Sequence, residues 1–115
     1  MGSLLVIDDR NDVEEHFREI FAEHEVTWVD RYEGTEYLNA GAHDVVLCDW
    51  DLGYNTPSYY NGGAIVRELQ SVYPTTKYVI WSGLEREGLP EGVEFFLKSD
   101  VPEIINRLSE LLEGE

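Results

Sequence analysis

Val45-Val46-Leu47-Cys48 places four apolar side chains in succession. His43-Asp44 precede them, and Asp49-Trp50-Asp51 and the turn-rich Leu52-Gly53-Tyr54-Asn55-Thr56-Pro57 follow. A strand buried on one face alternates apolar and polar residues. A strand that is apolar at every position is buried on both, as in parallel sheets with helices above and below. This run therefore points to an α/β architecture. It also delivers Asp49 to the carboxyl end of a strand, the edge outside which ligands and chemistry collect in open α/β sheets.

The remaining segments fit such a sheet. Residues 3–7 form a short apolar strand that runs into Asp8-Asp9. Asp12 with Glu15 makes a capping box, and Val13, Phe17, Ile20 and Phe21 recur at helical spacing to about residue 23. Residues 25–30, with Val26, Trp28 and Val29, read as a second strand. Residues 35–40, closed by Gly41 and carrying Tyr37 and Leu38, read as a short helix. After the central strand comes a long loop, 50–60, rich in Gly, Asn, Pro, Ser and Tyr. Asn61 caps a helix with Ile65, Leu69 and Val72 on one face, which ends before Pro74. Residues 77–82 and 93–97 are the fourth and fifth strands. Three glycines and a proline between Gly83 and Gly92 leave room for at most one helical turn. Asp100 and Glu103 make a second capping box, with Pro102 in the first turn. Ile104, Ile105, Leu108, Leu111 and Leu112 build the last helix, and Gly114 lies beyond its end. Strands alternating with helices through five units imply one domain over residues 1–115. Its expected fold is a flavodoxin-like, doubly wound, five-stranded parallel sheet in the order 2-1-3-4-5, with helices on both faces.

Charge narrows the partners. Eight Lys and Arg against 24 Asp and Glu give a net charge of -16, which repels phosphate backbones and anionic lipid. Neither nucleic acid nor membrane is expected as a partner; a basic protein surface is the sharper alternative to a merely solvated acidic one. One cysteine, Cys48, inside the central run, excludes a disulfide framework and suits a reducing compartment. No apolar run approaches the roughly 20 residues that cross a bilayer, so a soluble, cytoplasmic protein is expected.

Four of the five strands end in a reactive side chain: Asp8 and Asp9 on the first, Asp49 on the third, Ser82 on the fourth and Lys98 on the fifth. In this topology those ends converge. Three carboxylates so gathered raise one another's pKa and do not all stay ionised unaided. A divalent cation resolves the repulsion, and an all-oxygen set with no Cys or His suits Mg²⁺ better than zinc. With Mg²⁺ bound, Asp49 is placed to act as a nucleophile toward phosphorus, while Lys98 and the Ser82 hydroxyl stabilise the transferring phosphoryl group.

At this point the residues resemble a known family. Leu4-Leu5-Val6-Ile7-Asp8-Asp9, residues 45–49, Asn61-Gly62-Gly63, Val79-Ile80-Trp81-Ser82-Gly83 and Phe95-Phe96-Leu97-Lys98 look like the successive motifs of response-regulator receiver domains of two-component signalling. They occur in the family's order over nearly the whole chain. The resemblance implies a stand-alone, non-enzymatic signalling domain. Its phosphoacceptor would be Asp49, charged by a histidine kinase or histidine phosphotransfer protein, with the phosphorylated state read by a downstream protein. It implies Mg²⁺ held by Asp9 and Asp49, with the backbone carbonyl of Asp51, and by Asp8 mostly through water. Ser82 would follow the phosphoryl group, Lys98 would bridge to its oxygens, and Phe95 would stand at the family's switch aromatic.

Three departures accompany the resemblance. The loop after Asp49 is longer than usual and lacks the proline after Leu52. The stretch from Ser82 to Lys98 is shorter, so the helix between the fourth and fifth strands is expected to be reduced or absent, which puts the family's usual output surface in doubt. Ser99 replaces the proline that commonly follows the lysine. The Asp51 side chain is either solvated or tunes attack by water on an aspartyl phosphate. Trp50 reads as a half-exposed aromatic beside the site. Tyr54, Tyr59 and Tyr60 read as packing their loop or forming a lid. His16, His24 and His43 read as remote from the chemistry.

Two rival functions remain. A pseudo-receiver would keep the fold and signal by protein contact without phosphorylation. The Asp49-Trp50-Asp51 pattern also resembles the first motif of haloacid-dehalogenase-type phosphatases, although the acidic pair here precedes that strand and no cap domain fits into 115 residues.

Overall fold

The computed structural model describes residues 2–10, 12–30, 43–51 and 61–114. Five strands, β1 (Ser3–Ile7), β2 (Glu25–Val29), β3 (Val45–Asp49), β4 (Lys77–Ser82) and β5 (Glu94–Leu97), form one sheet in the order β2-β1-β3-β4-β5. Every pairing is parallel. Leu4 lies opposite Val26 on one side and Val45 on the other, Leu47 lies opposite Val79, and Val79 opposite Glu94. The expected topology is thus the observed one. β1 has a neighbour on each side, so the chain reverses its winding between β1 and β3, and a crevice opens there at the carboxyl ends.

Every residue of β3 is buried, as its unbroken apolar run requires. Side chains alternate between the two faces of a strand, and each face of this sheet has its own core. Leu5, Ile7, Val46, Cys48 and Ile80 pack against Ile65, Val66 and Leu69 of α2 (Gly62–Val72). Leu4, Val6, Val45, Leu47, Val79 and Trp81 pack on the opposite face. Their partners are Phe17 of α1 (Glu14–Ile20), together with Phe21, and Ile104, Leu108, Leu111 and Leu112 of α3 (Val101–Leu112). Phe17 is the hub of the second core, with its ring 5.7 Å from that of Trp28 and 5.6 Å from that of Trp81.

The helices depart from expectation at their ends. The Asp12–Glu15 capping box does not form. Asp12 pairs instead with Arg10 at 3.2 Å, and α1 begins at Glu14 with no side-chain cap. It stops at Ile20, because Phe21 turns into the core at the cap position and leaves Ile20 at the rim. Asp100 stands at the N-cap of α3 but caps through its backbone carbonyl, so the second capping box is absent too. Asn61 behaves as its sequence position predicts: its side-chain oxygen accepts from the Ala64 amide at 3.0 Å. On α2 Val66 is buried, whereas Val72 in the last turn is exposed. The expected helix at 35–40, with Tyr37 and Leu38, and the tyrosines at 54, 59 and 60 lie outside the described residues.

Between β4 and β5 no helix forms, as the sequence anticipates. Gly88 and Gly92 adopt φ values of +73° and +80°, a left-handed backbone that interrupts any helix. α2 holds this loop down: Arg67 donates to the Gly88 carbonyl at 2.8 Å and Gln70 to the Glu91 carbonyl at 3.1 Å. Leu89 and Val93 then cover the core that a helix would otherwise cover. Among the described residues, no helix is long and apolar enough to cross a membrane.

Candidate functional site

Asp8, Asp9, Asp49, Ser82 and Lys98 all stand at the carboxyl edge of the sheet, where the sequence places them. Asp8 follows β1 directly and is 1% exposed, and Asp49, the last residue of β3, is 2% exposed. Turns hold both carboxylates by their own backbone: the Arg10 amide donates to Asp8 at 2.9 Å, and the Asp51 amide to Asp49 at 3.2 Å. Lys98 is set by its backbone amide, which donates a hydrogen bond to the Ser82 carbonyl at 2.8 Å and continues the β4–β5 pairing. Its ammonium lies over the Trp81 ring, 4.9 Å from the centroid, and reaches Asp8 at 3.0 Å and Asp49 at 3.3 Å.

One cation between two buried carboxylates is not enough. Burial, and then the charge of Asp8, raise the Asp49 pKa from 3.8 to about 7, with Lys98 opposing. Asp9, at the solvent side, is raised for the same two reasons. Carboxylate oxygens of Asp8, Asp9 and Asp49 lie within 4.8 Å of one another, the span of ligands around one ion. Three hard oxygens, short of positive charge and with one flank open to water, are a donor set suited to Mg²⁺. A cavity of about 170 Å³ lined by Asp8, Arg10, Trp81 and Lys98 adjoins them.

α2 closes the site from the other face of the sheet. The Gly62 amide donates to the Trp50 carbonyl at 2.9 Å. A Cβ on Gly62 would lie 2.5 Å from the Asp49 carbonyl oxygen and 2.8 Å from the Trp50 Cα, so backbone meets backbone and only glycine fits. The Asn61-Gly62-Gly63 stretch thereby fixes the turn that carries Asp49.

Asp51 does not join the acidic cluster with its side chain. Its carboxylate turns outward to Arg86, with 2.8 Å between Oδ2 and Nη2. Arg86 also donates from Nε to the Ser82 hydroxyl at 3.1 Å, and its guanidinium lies 5.9 Å from the centre of the Trp50 ring. Sequence reasoning missed Arg86. It stands in a loop without periodicity, and only its place four residues after Ser82 marked it. Trp50 is half-buried beside the site, and Phe95 is half-buried against the α2-side core, lining a recess with Trp50 and Arg86. The histidines stay away from the strand ends: His24 accepts from the Gly2 amide at 2.8 Å, His16 is exposed on α1, and burial ahead of β3 lowers the pKa of His43.

No protein-family model and no curated protein sequence matches the chain. Solved structures do. The receiver domain of a Francisella response regulator superposes with a TM-score of 0.72 at 23% identity, over 98% of each chain. A response regulator from Thermotoga maritima gives 0.72 at 15% identity over 99% of each. A CheY-like receiver domain from Methylobacillus flagellatus gives 0.70 at 23% identity, over 96% of this chain and 98% of the other. The class is thus an α/β, flavodoxin-like domain with its polar cluster at the switch point. Within that class the fold is that of a response-regulator receiver domain, lacking the helix between β4 and β5 among its described residues.

Proposed function

We propose that this chain is the phosphoacceptor module of a two-component relay and that Asp49 takes the phosphoryl group. The observation that carries this reading is the set of Asp8, Asp9 and Asp49 oxygens within 4.8 Å of one another, with Lys98 bonded to two of them. Asp8, Asp9 and Asp49 would hold Mg²⁺, joined by the backbone carbonyl of Asp51, and the bound ion would supply charge neutralisation for a phosphoryl group.

An oxygen of the Asp49 carboxylate attacks the phosphorus of a phosphohistidine on a kinase or phosphotransfer protein. The P–N bond breaks, its electron pair returns to the imidazole, and an acyl phosphate remains on Asp49. Lys98 shifts from its carboxylate partners to a phosphoryl oxygen, and the Ser82 hydroxyl donates to another. Movement of Ser82 is transmitted to Phe95, and a downstream protein reads the result. No further catalysis is needed, so the domain signals rather than turns over substrate. A cytoplasmic location fits its acidic surface and single buried thiol.

Intact mass after incubation with acetyl phosphate, with and without Mg²⁺, tests the reading. A metal-dependent phosphoryl adduct, labile to hydroxylamine and missing from Asp49→Asn, is the expected result. No adduct together with no binding of Mg²⁺ or beryllofluoride overturns it in favour of a pseudo-receiver, and sustained phosphomonoester hydrolysis in favour of a phosphatase.

A further inference from the structure

The Ser82 hydroxyl has one proton to give and two lone pairs, and all three are engaged. The Arg86 Nε donates to Oγ at 3.1 Å and the Leu84 amide at 3.3 Å, while Oγ donates to the Asp51 carboxylate at 3.4 Å. The same carboxylate oxygen takes the Arg86 Nη2 at 2.8 Å. Ser82, Asp51 and Arg86 therefore form a closed ring of hydrogen bonds, with the guanidinium braced on the Trp50 ring. The long bond from Ser82 to Asp51 is the weakest member and is the one broken when the hydroxyl rotates toward another oxygen.

Charge gives the ring a purpose. Asp51 is two residues from Asp49 and is a fourth carboxylate beside the three already gathered. Unpaired, it repels a phosphoryl group. Paired with a guanidinium it does not, and a hydroxyl that accepts from a cation is a stronger donor through its own proton.

Resting on the phosphoacceptor reading of Asp49, we propose that Arg86 is a positioning residue for phosphoryl capture: it cancels the charge of Asp51 and holds the Ser82 hydroxyl ready to donate to a phosphoryl oxygen. The residue acts through Ser82 and Asp51 and does not itself touch the phosphorus.

The test is the initial rate of adduct formation from acetyl phosphate with Mg²⁺, followed by intact mass. It compares the wild type, Arg86→Ala, Arg86→Lys, Asp51→Asn and the Asp51→Asn/Arg86→Ala double variant, with thermal unfolding as a check on folding. Here an Asp49 oxygen attacks phosphorus and acetate leaves with the electrons of the broken P–O bond. Arg86→Ala should slow the reaction about tenfold, the loss expected for one hydrogen bond to a charged group. Arg86→Lys should fall between, because it keeps the charge and loses the fork. The double variant should recover most of the rate, because the unmasked carboxylate is gone. The Arg86→Ala deficit should also narrow with added salt, since Asp51 is 60% exposed and open to screening. Equal rates in wild type and Arg86→Ala, or a double variant no faster than Arg86→Ala, overturn the proposal while leaving Asp49 as acceptor. A wild type that takes no phosphoryl group overturns both.

Discussion

Lys98 with Asp8 and Asp49, and Arg86 with Asp51, are two answers to negative charge at one sheet edge. The cations are alike in exposure, 24% for Lys98 and 26% for Arg86. Their carboxylates are not: those of Asp8 and Asp49 are 1% and 3% exposed, against 60% for Asp51. What the pair contributes to stability is set by where the acid sits. A buried carboxylate left without its cation has no solvent to turn to, whereas an exposed one is hydrated at once. The inner group should matter to folding and chemistry alike, and the outer one to chemistry almost alone.

The largest effect belongs to Lys98→Ala. At pH 8 without metal it should lose about 3–5 kcal/mol of stability in urea unfolding, as expected when one partner of a buried pair is removed. A loss near that of an exposed pair would erase the contrast.

Next comes Asp49→Asn, whose sign is opposite. The Asp49 pKa rises from 3.8 to about 7 on folding, so folding disfavours its ionised form. Below about pH 4 the group is protonated in both states and contributes nothing. Between about pH 4 and 7 the wild type loses stability as pH rises, and above 7 the loss is constant. Asparagine removes this loss, so the variant should be the more stable by about 2–4 kcal/mol at pH 8 and equal to wild type near pH 4. Unfolding curves across that range check it, and a gap independent of pH would show that burial of charge is not the cause. The smallest effect is that of Arg86→Ala on stability, a loss under about 1 kcal/mol by thermal or urea unfolding. A larger loss would mean that the outer ring is structural.

The inner strands β1, β3 and β4 were legible in the sequence because burial on both faces writes itself as an apolar run. The residue that ends such a run, Asp49 or Ser82, is then placed by the strand itself. Lys98 was legible from the Phe95-Phe96-Leu97 run before it, although β5 is a half-buried edge strand. The helix starts were less so. Asp12 had a nearer partner in Arg10 than the amides ahead of it, and a capping box in sequence is only an offer that a competing charge can outbid. The outer ring was illegible because Arg86 and Asp51, 35 residues apart, meet across two turns with no period. The Asp51 side chain was weighed as solvated or as tuning attack by water, and nothing local foretold its pairing with Arg86.

The bond between Gly62 and Trp50 carries one more consequence. It ties the chain that leaves β3 to the chain that returns at Asn61. Lengthening the chain between two joined ends costs little, about 0.6 kcal/mol for each doubling. The turn that carries Asp49 is held by α2 on one side, whatever the length of sequence between Asp51 and Asn61. Insertions at this point would therefore leave the Asp49 turn where it stands.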